Sequence, residues 1–155
     1  MIRGLMMGVL SAAVLALSAA AFAQQGHPTA QEARAMLDKA VAAVKADRDV
    51  ALAMFNKGEG GFRDRDLYPF CTRVSDGKGV AGPVYVPSGS DTKALKDPDG
   101  KEYGKELYAV GQKPDGQIAE ISYKAPKPGT TAPVFPKVSF ATKVGDLICG
   151  VGYYK

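Results

Sequence analysis

The 155-residue chain carries 20 Lys and Arg against 16 Asp and Glu, a net charge of +4, with the lysines scattered among turns rather than gathered in a stripe. That balance gives no electrostatic case for nucleic-acid binding, and none is expected. Two cysteines and a single histidine, His27, are too few for a zinc or haem site of the usual kind, so no cofactor or metal is expected either.

The chain opens Met1-Ile-Arg3, a short positive start followed by an apolar or small-residue run from Leu5 to Phe22 that only Ser11 and Ser18 interrupt. The run ends Ala21-Phe22-Ala23 before Gln24 and Gln25, and small residues at these two positions are what signal peptidase accepts. Residues 1–23 are therefore expected to be a cleaved signal peptide, and 24–155 one exported domain, periplasmic or secreted. The competing reading is a retained anchor, since about eighteen apolar residues nearly span a bilayer. No cysteine follows the run, which argues against a lipoprotein.

After a short polar leader, Thr29-Ala-Gln-Glu32 fits a capping box. Ala33, Leu37, Ala40, Val41, Val44, Ala51, Met54 and Phe55 then recur at helical spacing. A long amphipathic helix is predicted from about Ala30 to Asn56, with Asp47-Arg48-Asp49 as the place where it breaks or bends. Lys57-Gly-Glu-Gly-Gly61 ends it.

Most of the Gly and Pro lies beyond this point, which favours sheet. Leu67 to Val74 reads as a strand with Tyr68, Phe70, Thr72 and Val74 on one face, and Pro69 at its start or on an edge. Asp76-Gly77 turns the chain into a second strand, about Val80 to Val86. A polar connection follows, closing in the turn Asp97-Pro-Asp-Gly100. Tyr103 to Val110 predicts a short helix. Three more strands are predicted: Gln117 to Lys124, Lys137 to Val144 and Leu147 to Tyr154. A proline-rich loop, Pro126 to Pro136, joins the first two, and Gly145-Asp146 joins the last two. The order of elements gives one α+β domain on an antiparallel sheet.

Cys71 and Cys149 each fall in a predicted strand, and export would place both in an oxidising compartment. A disulfide between them would stabilise by up to about 4 kcal/mol in the chain-entropy model. The alternative is two buried thiols. Gly150 and Gly152 share a face of the last strand, where they would let the long helix approach the sheet closely.

Taken in order, Phe55-Asn56, Gly61-Phe62, Leu67-Tyr68-Pro69-Phe70, Asp76-Gly77, Asp97-Pro-Asp-Gly100, Tyr123, Pro126, Pro136-Lys137-Val-Ser-Phe140 and Gly150-Val-Gly-Tyr153 resemble an extracytoplasmic single Cache domain of the PAS-like, profilin-like sensor folds. The resemblance covers about Ala30 to Lys155. It implies a long N-terminal helix packed on a five-stranded antiparallel sheet, with a ligand pocket on the other face. Such domains form the outer sensory part of chemoreceptors and histidine kinases, and several bind small carboxylates. Ala125 stands where these domains often carry Trp.

A carboxylate pocket needs a cation, hydroxyl or amide donors, and apolar walls. Lys137 and Ser139 share one face of their strand, and Tyr123 lies on the strand before it. Given the implied fold, Lys137 would hold the anion while Tyr68, Tyr103 and Tyr123 supply hydroxyls and ring walls, beside Phe70. Arg73 is a weaker candidate. The bland alternative is half-buried sheet tyrosines and an edge lysine.

Catalysis has little support. Ser88, Ser90 and Asp91 offer nucleophile-like groups, but the only histidine is in the leader. Asp97 and Asp99 could pair as carboxylates or calcium ligands, yet Asp-Pro-Asp-Gly reads more simply as a turn. The expectation is a non-enzymatic sensory module for a carboxylate-like small molecule, acting through a membrane receptor or kinase. Homodimerisation through the N-terminal helix would be a further contact. The alternative is a structural or interaction module of the same fold without a ligand.

Overall fold

The computed structural model describes residues 26–82 and 88–155. The predicted signal segment, 1–23, and the end of the predicted second strand, 83–86, lie outside the described residues.

Helix α1 (Ala30–Ala46) starts where the capping box sets it: Glu32 N donates to Thr29 Oγ1 at 3.2 Å, and Thr29 N donates to Glu32 Oε2 at 2.7 Å. Its buried stripe is Ala33, Met36, Leu37, Ala40 and Val44. The predicted long helix is in fact two. Asp47 takes an extended backbone (φ −158°), and its carboxylate accepts the N–H of Val50 at 3.1 Å, starting α2 (Arg48–Lys57). An Asp side chain that can cap a following helix competes with the continuing one. Gly58, at φ 71°, ends α2 in the left-handed region.

The strands are β1 (Pro69–Arg73), β2 (Gly79–Ala81), β3 (Ile118–Pro126), β4 (Val134–Val144) and β5 (Leu147–Tyr154). They form one sheet in the order β2-β1-β5-β4-β3, every neighbouring pair antiparallel. The proline-rich loop is shorter than expected, because the β3–β4 ladder pairs Lys124 with Pro136 and Pro126 with Val134. Proline lacks only a donor. The Pro136 carbonyl still accepts, from Lys155 N at 3.0 Å.

One face of the sheet meets the two helices. Leu37, Phe55, Leu67, Leu147 and Val151 are almost wholly buried there, each worth about 1.5–3 kcal/mol of apolar transfer. Cys71 on β1 and Cys149 on β5 stand directly opposite each other on this face and form a disulfide. The opposite face carries α3 (Tyr103–Ala109), a 3-10 turn (Thr92–Ala94) and the connection between them, packed over Phe70, Ile121, Ala141 and Ile148.

Candidate functional site

The strand pleat decides which side chains enter the second face. Lys137 and Ser139 of β4 point the same way, and the ladder sets them opposite Tyr123 and Ile121 of β3 and opposite Tyr154 and Gly152 of β5. Tyr68 stands just before β1 and Phe70 at its start, and α3 lays Tyr103 flat on Tyr123, ring centroids 4.0 Å apart and planes within 4°. Among the described residues this face holds a cavity of about 280 Å³. Its walls include Tyr68, Phe70, Tyr103, Tyr123 and Lys137, with Thr72, Thr92, Leu95 and Leu107.

Lys137 is the distinctive member. Only 3% of it is exposed. Its ammonium donates to Tyr68 Oη at 2.8 Å and lies 4.7 Å from the Tyr68 ring centroid and 4.8 Å from that of Tyr154. It makes no ion pair with a carboxylate among the described residues. The charges that act on it, Asp66 and Lys127, pair with each other at 2.6 Å. Burial therefore pulls the Lys137 pKa down to about 7; the Asp66 charge opposes this and the Lys127 charge adds to it.

Ser139 is fully buried and does not line the cavity itself. Its hydroxyl shares a hydrogen bond with Tyr123 Oη at 2.9 Å, so it orients the ring that does. Burial, with the Asp97 charge behind it, pushes the Tyr103 phenol upward, so that group stays neutral.

Gly150 and Gly152 do not face the helix. A Cβ on Gly150 would stand 2.5 Å from the Phe70 ring, and one on Gly152 would stand 2.5 Å from Ser139 Oγ and 2.6 Å from Lys137 Cε. The two glycines make room for cavity side chains. Arg73 turns away from the site and pairs with Asp76 at 2.8 Å in the hairpin turn.

The Asp97 turn is structural. Burial alone would raise its carboxyl, but donation from the N–H groups of Lys101, Lys124 and Asp99 more than offsets this and holds it below the usual range. The Lys124 bond, at 3.1 Å, ties the connection over the cavity to β3. Asp91 caps the 3-10 turn through Lys93 N, and His27 lies beside Asp66 at 4.0 Å. Among the described residues no group of three or more His, Cys, Asp or Glu could hold a metal, and no helix is long and apolar enough to cross a membrane.

Sequence reasoning missed three contributors. Tyr154 follows from period two, since it falls on the face of Gly150 and Gly152. Thr92 and Leu95 come from an irregular segment whose composition carries no periodic signal.

No protein-family model matches the chain, and no curated protein matches it. Solved structures do. A methyl-accepting chemotaxis protein from Vibrio parahaemolyticus RIMD 2210633 superposes with TM-score 0.63 at 24% identity, over 80% of this chain and 86% of that one. A periplasmic sensor domain of a chemotaxis protein gives TM-score 0.59 at 22% identity, over 80% and 88%. A Cache chemosensory domain, studied for carboxylic acid recognition, gives 0.55 at 21% identity, over 80% and 86%. This chain, with helices on one face of a five-stranded antiparallel sheet and a cavity on the other, thus shares its fold with these chemotaxis and Cache sensor domains.

Proposed function

We propose that residues 24–155 are an exported sensory domain that binds a small organic acid and passes that state to a membrane receptor or kinase, residues 1–23 being its signal peptide. The observation that carries the reading is Lys137, an ammonium 3% exposed in a cavity wall and in no ion pair with a carboxylate among the described residues. Burying a cation without a counter-charge is unfavourable, and a carboxylate entering the cavity would supply one. Tyr68, Tyr103 and Tyr123 add ring walls and hydroxyls, and Ser139 sets the Tyr123 orientation. A carboxylic-acid-recognising Cache domain among the structural neighbours supports the same ligand class. The sensor descriptions of those neighbours favour a binding protein over an enzyme.

The interaction-module alternative requires a filled core at this place. A cavity of about 280 Å³ favours the ligand reading.

The test is a thermal-shift and calorimetric screen of the purified protein against small carboxylates and amino acids. A ligand at a hundred times its Kd stabilises by about 2.7 kcal/mol, a shift of several degrees at this size. A hit abolished by Lys137→Met supports the reading. A folded protein that binds no acid in the panel sinks it. Sedimentation with and without ligand checks for dimerisation through α1.

A further inference from the structure

The cavity has a second polar point away from Lys137. Thr72 Oγ1 on β1 and Thr92 Oγ1 at the head of the 3-10 turn are 2.8 Å apart, both side chains are buried, and both line the cavity. Each is held in place by its backbone. Thr72 pairs with Ile148 in the sheet, and Thr92 N donates to Gly77 O at 2.9 Å.

The hydrogen count is what matters. Two hydroxyls carry two hydrogens, and the bond between them uses one. Neither side chain makes another hydrogen bond among the described residues. Among the described residues one buried O–H is therefore left without an acceptor, in the wall of a cavity whose other pole is cationic.

The spacing of the poles follows from the strand. Tyr68, which accepts from Lys137, stands just before β1 and Thr72 lies within it, four residues on, which at strand rise is about 13 Å. Phe70, Leu95, Leu107 and Ala81 supply apolar wall around that axis.

We propose that the Thr72–Thr92 pair is a second recognition point, donating one hydrogen bond to an oxygen at the far end of the ligand. The cavity then selects organic acids with a carboxylate at one end, a short apolar chain, and an oxygen acceptor at the other. This rests on Lys137 being the anion anchor, and the two ideas fail differently.

The experiment is calorimetric titration of the protein with straight-chain monocarboxylates from butanoate to heptanoate, and with the terminal hydroxy acid of each. At one chain length the hydroxy acid should bind about three- to tenfold tighter than its parent, the worth of one neutral hydrogen bond. In the Thr72→Val/Thr92→Val double variant, which replaces both hydroxyls by apolar groups of the same shape, that preference should vanish while the parent acids still bind. Thr92→Ser keeps the hydroxyl and should keep the preference. Monocarboxylates that bind with no preference at any length overturn the second point and leave the anchor standing. A preference surviving in the double variant, or lost in Thr92→Ser, overturns it as well. If no acid of either series binds, the anchor reading falls and takes this proposal with it.

Discussion

Gly152 lies directly across the β4–β5 ladder from Ser139, and the space its missing side chain leaves is occupied by Lys137. An added methyl would stand 2.6 Å from Lys137 Cε and 2.5 Å from Ser139 Oγ, closer than real Cβ contacts come. Gly152→Ala should therefore displace the ammonium and the hydroxyl that orients Tyr123. The expected result is a stable fold with acid binding weakened by about tenfold or more, since small misplacements at a site cost strongly. Calorimetry on the variant checks this. Unchanged affinity would show that Lys137 does not hold the ligand.

The buried lysine should make the empty protein less stable than it could be. Its folded pKa, about 7, lies below its unfolded value, 10.5. Below pH 7 both states hold the proton and the full burial penalty is present. Between pH 7 and 10.5 the unfolded chain binds more proton than the folded one, so stability rises with pH through that window. Lys137→Met removes the charge and with it this pH dependence. At pH 6 the variant should be more stable by a few kcal/mol, and its advantage should shrink by on the order of 2 kcal/mol by pH 9. Urea unfolding of both proteins at pH 6, 7, 8 and 9 measures the difference. A gap independent of pH would show that the lysine is not titrating in this range.

Ligand binding should carry the same proton. Asp66 favours the charged ammonium and Lys127 opposes it, while Tyr68 and Tyr154 surround it. A bound carboxylate stabilises the charged form, so above pH 7 each binding event must take up a proton. Affinity for an anionic ligand should fall by up to about tenfold per pH unit from 7 toward the pKa of the complex. Titration at pH 8 in two buffers of different ionisation enthalpy should show uptake approaching one proton. No uptake would place the anion away from Lys137.

At the far end of α1 a different group sets acid tolerance. Arg65, at φ 52°, donates to Gly26 O, Glu32 and Asp64. Glu32 accepts from Thr29 N and from Arg65, and its pKa is drawn down to about 2. A carboxyl depressed in the folded state contributes stability above its unfolded pKa of about 4.5 and loses it as pH falls toward 2. The site is exposed to solvent, so the effect is screened. Arg65→Ala should cost little at neutral pH and flatten stability between pH 4.5 and 2. Acid titration followed by circular dichroism reads this directly. An unaltered acid limb would mean that the Thr29 cap alone carries the shift.

Much of the fold was legible because it rests on local chemistry. The Thr29–Glu32 box, the glycines after α2, the Asp76-Gly77 and Gly145-Asp146 turns and the strict alternation of the last strands each act within a few residues. Their elements sit close to where the pattern sets them. Asp47 was legible only as a doubt, because whether its carboxylate bends the helix or caps a new one depends on where α2 must pack. The prolines at 126 and 136 were misread as loop, since composition does not reveal that the ladder needs no donor from them.

For the site the division is similar. Period two put Lys137 with Ser139, and the resemblance put both near Tyr68, Tyr103 and Tyr123. It could not say which face the glycines serve: residues at 150 and 152 share a side on any register, and only pairing with β4 decides that this side is the cavity. Nor could it bring Thr92 to Thr72, or leave Lys137 with no carboxylate in ion-pairing range among the described residues. The sequence by itself determined the α+β order and the pairs of residues that share a strand face, both of which follow from short-range sterics and periodicity. The tertiary structure alone decided the burial of Lys137 and the contents of the cavity, because desolvation and charge pairing depend on every element that closes around a group.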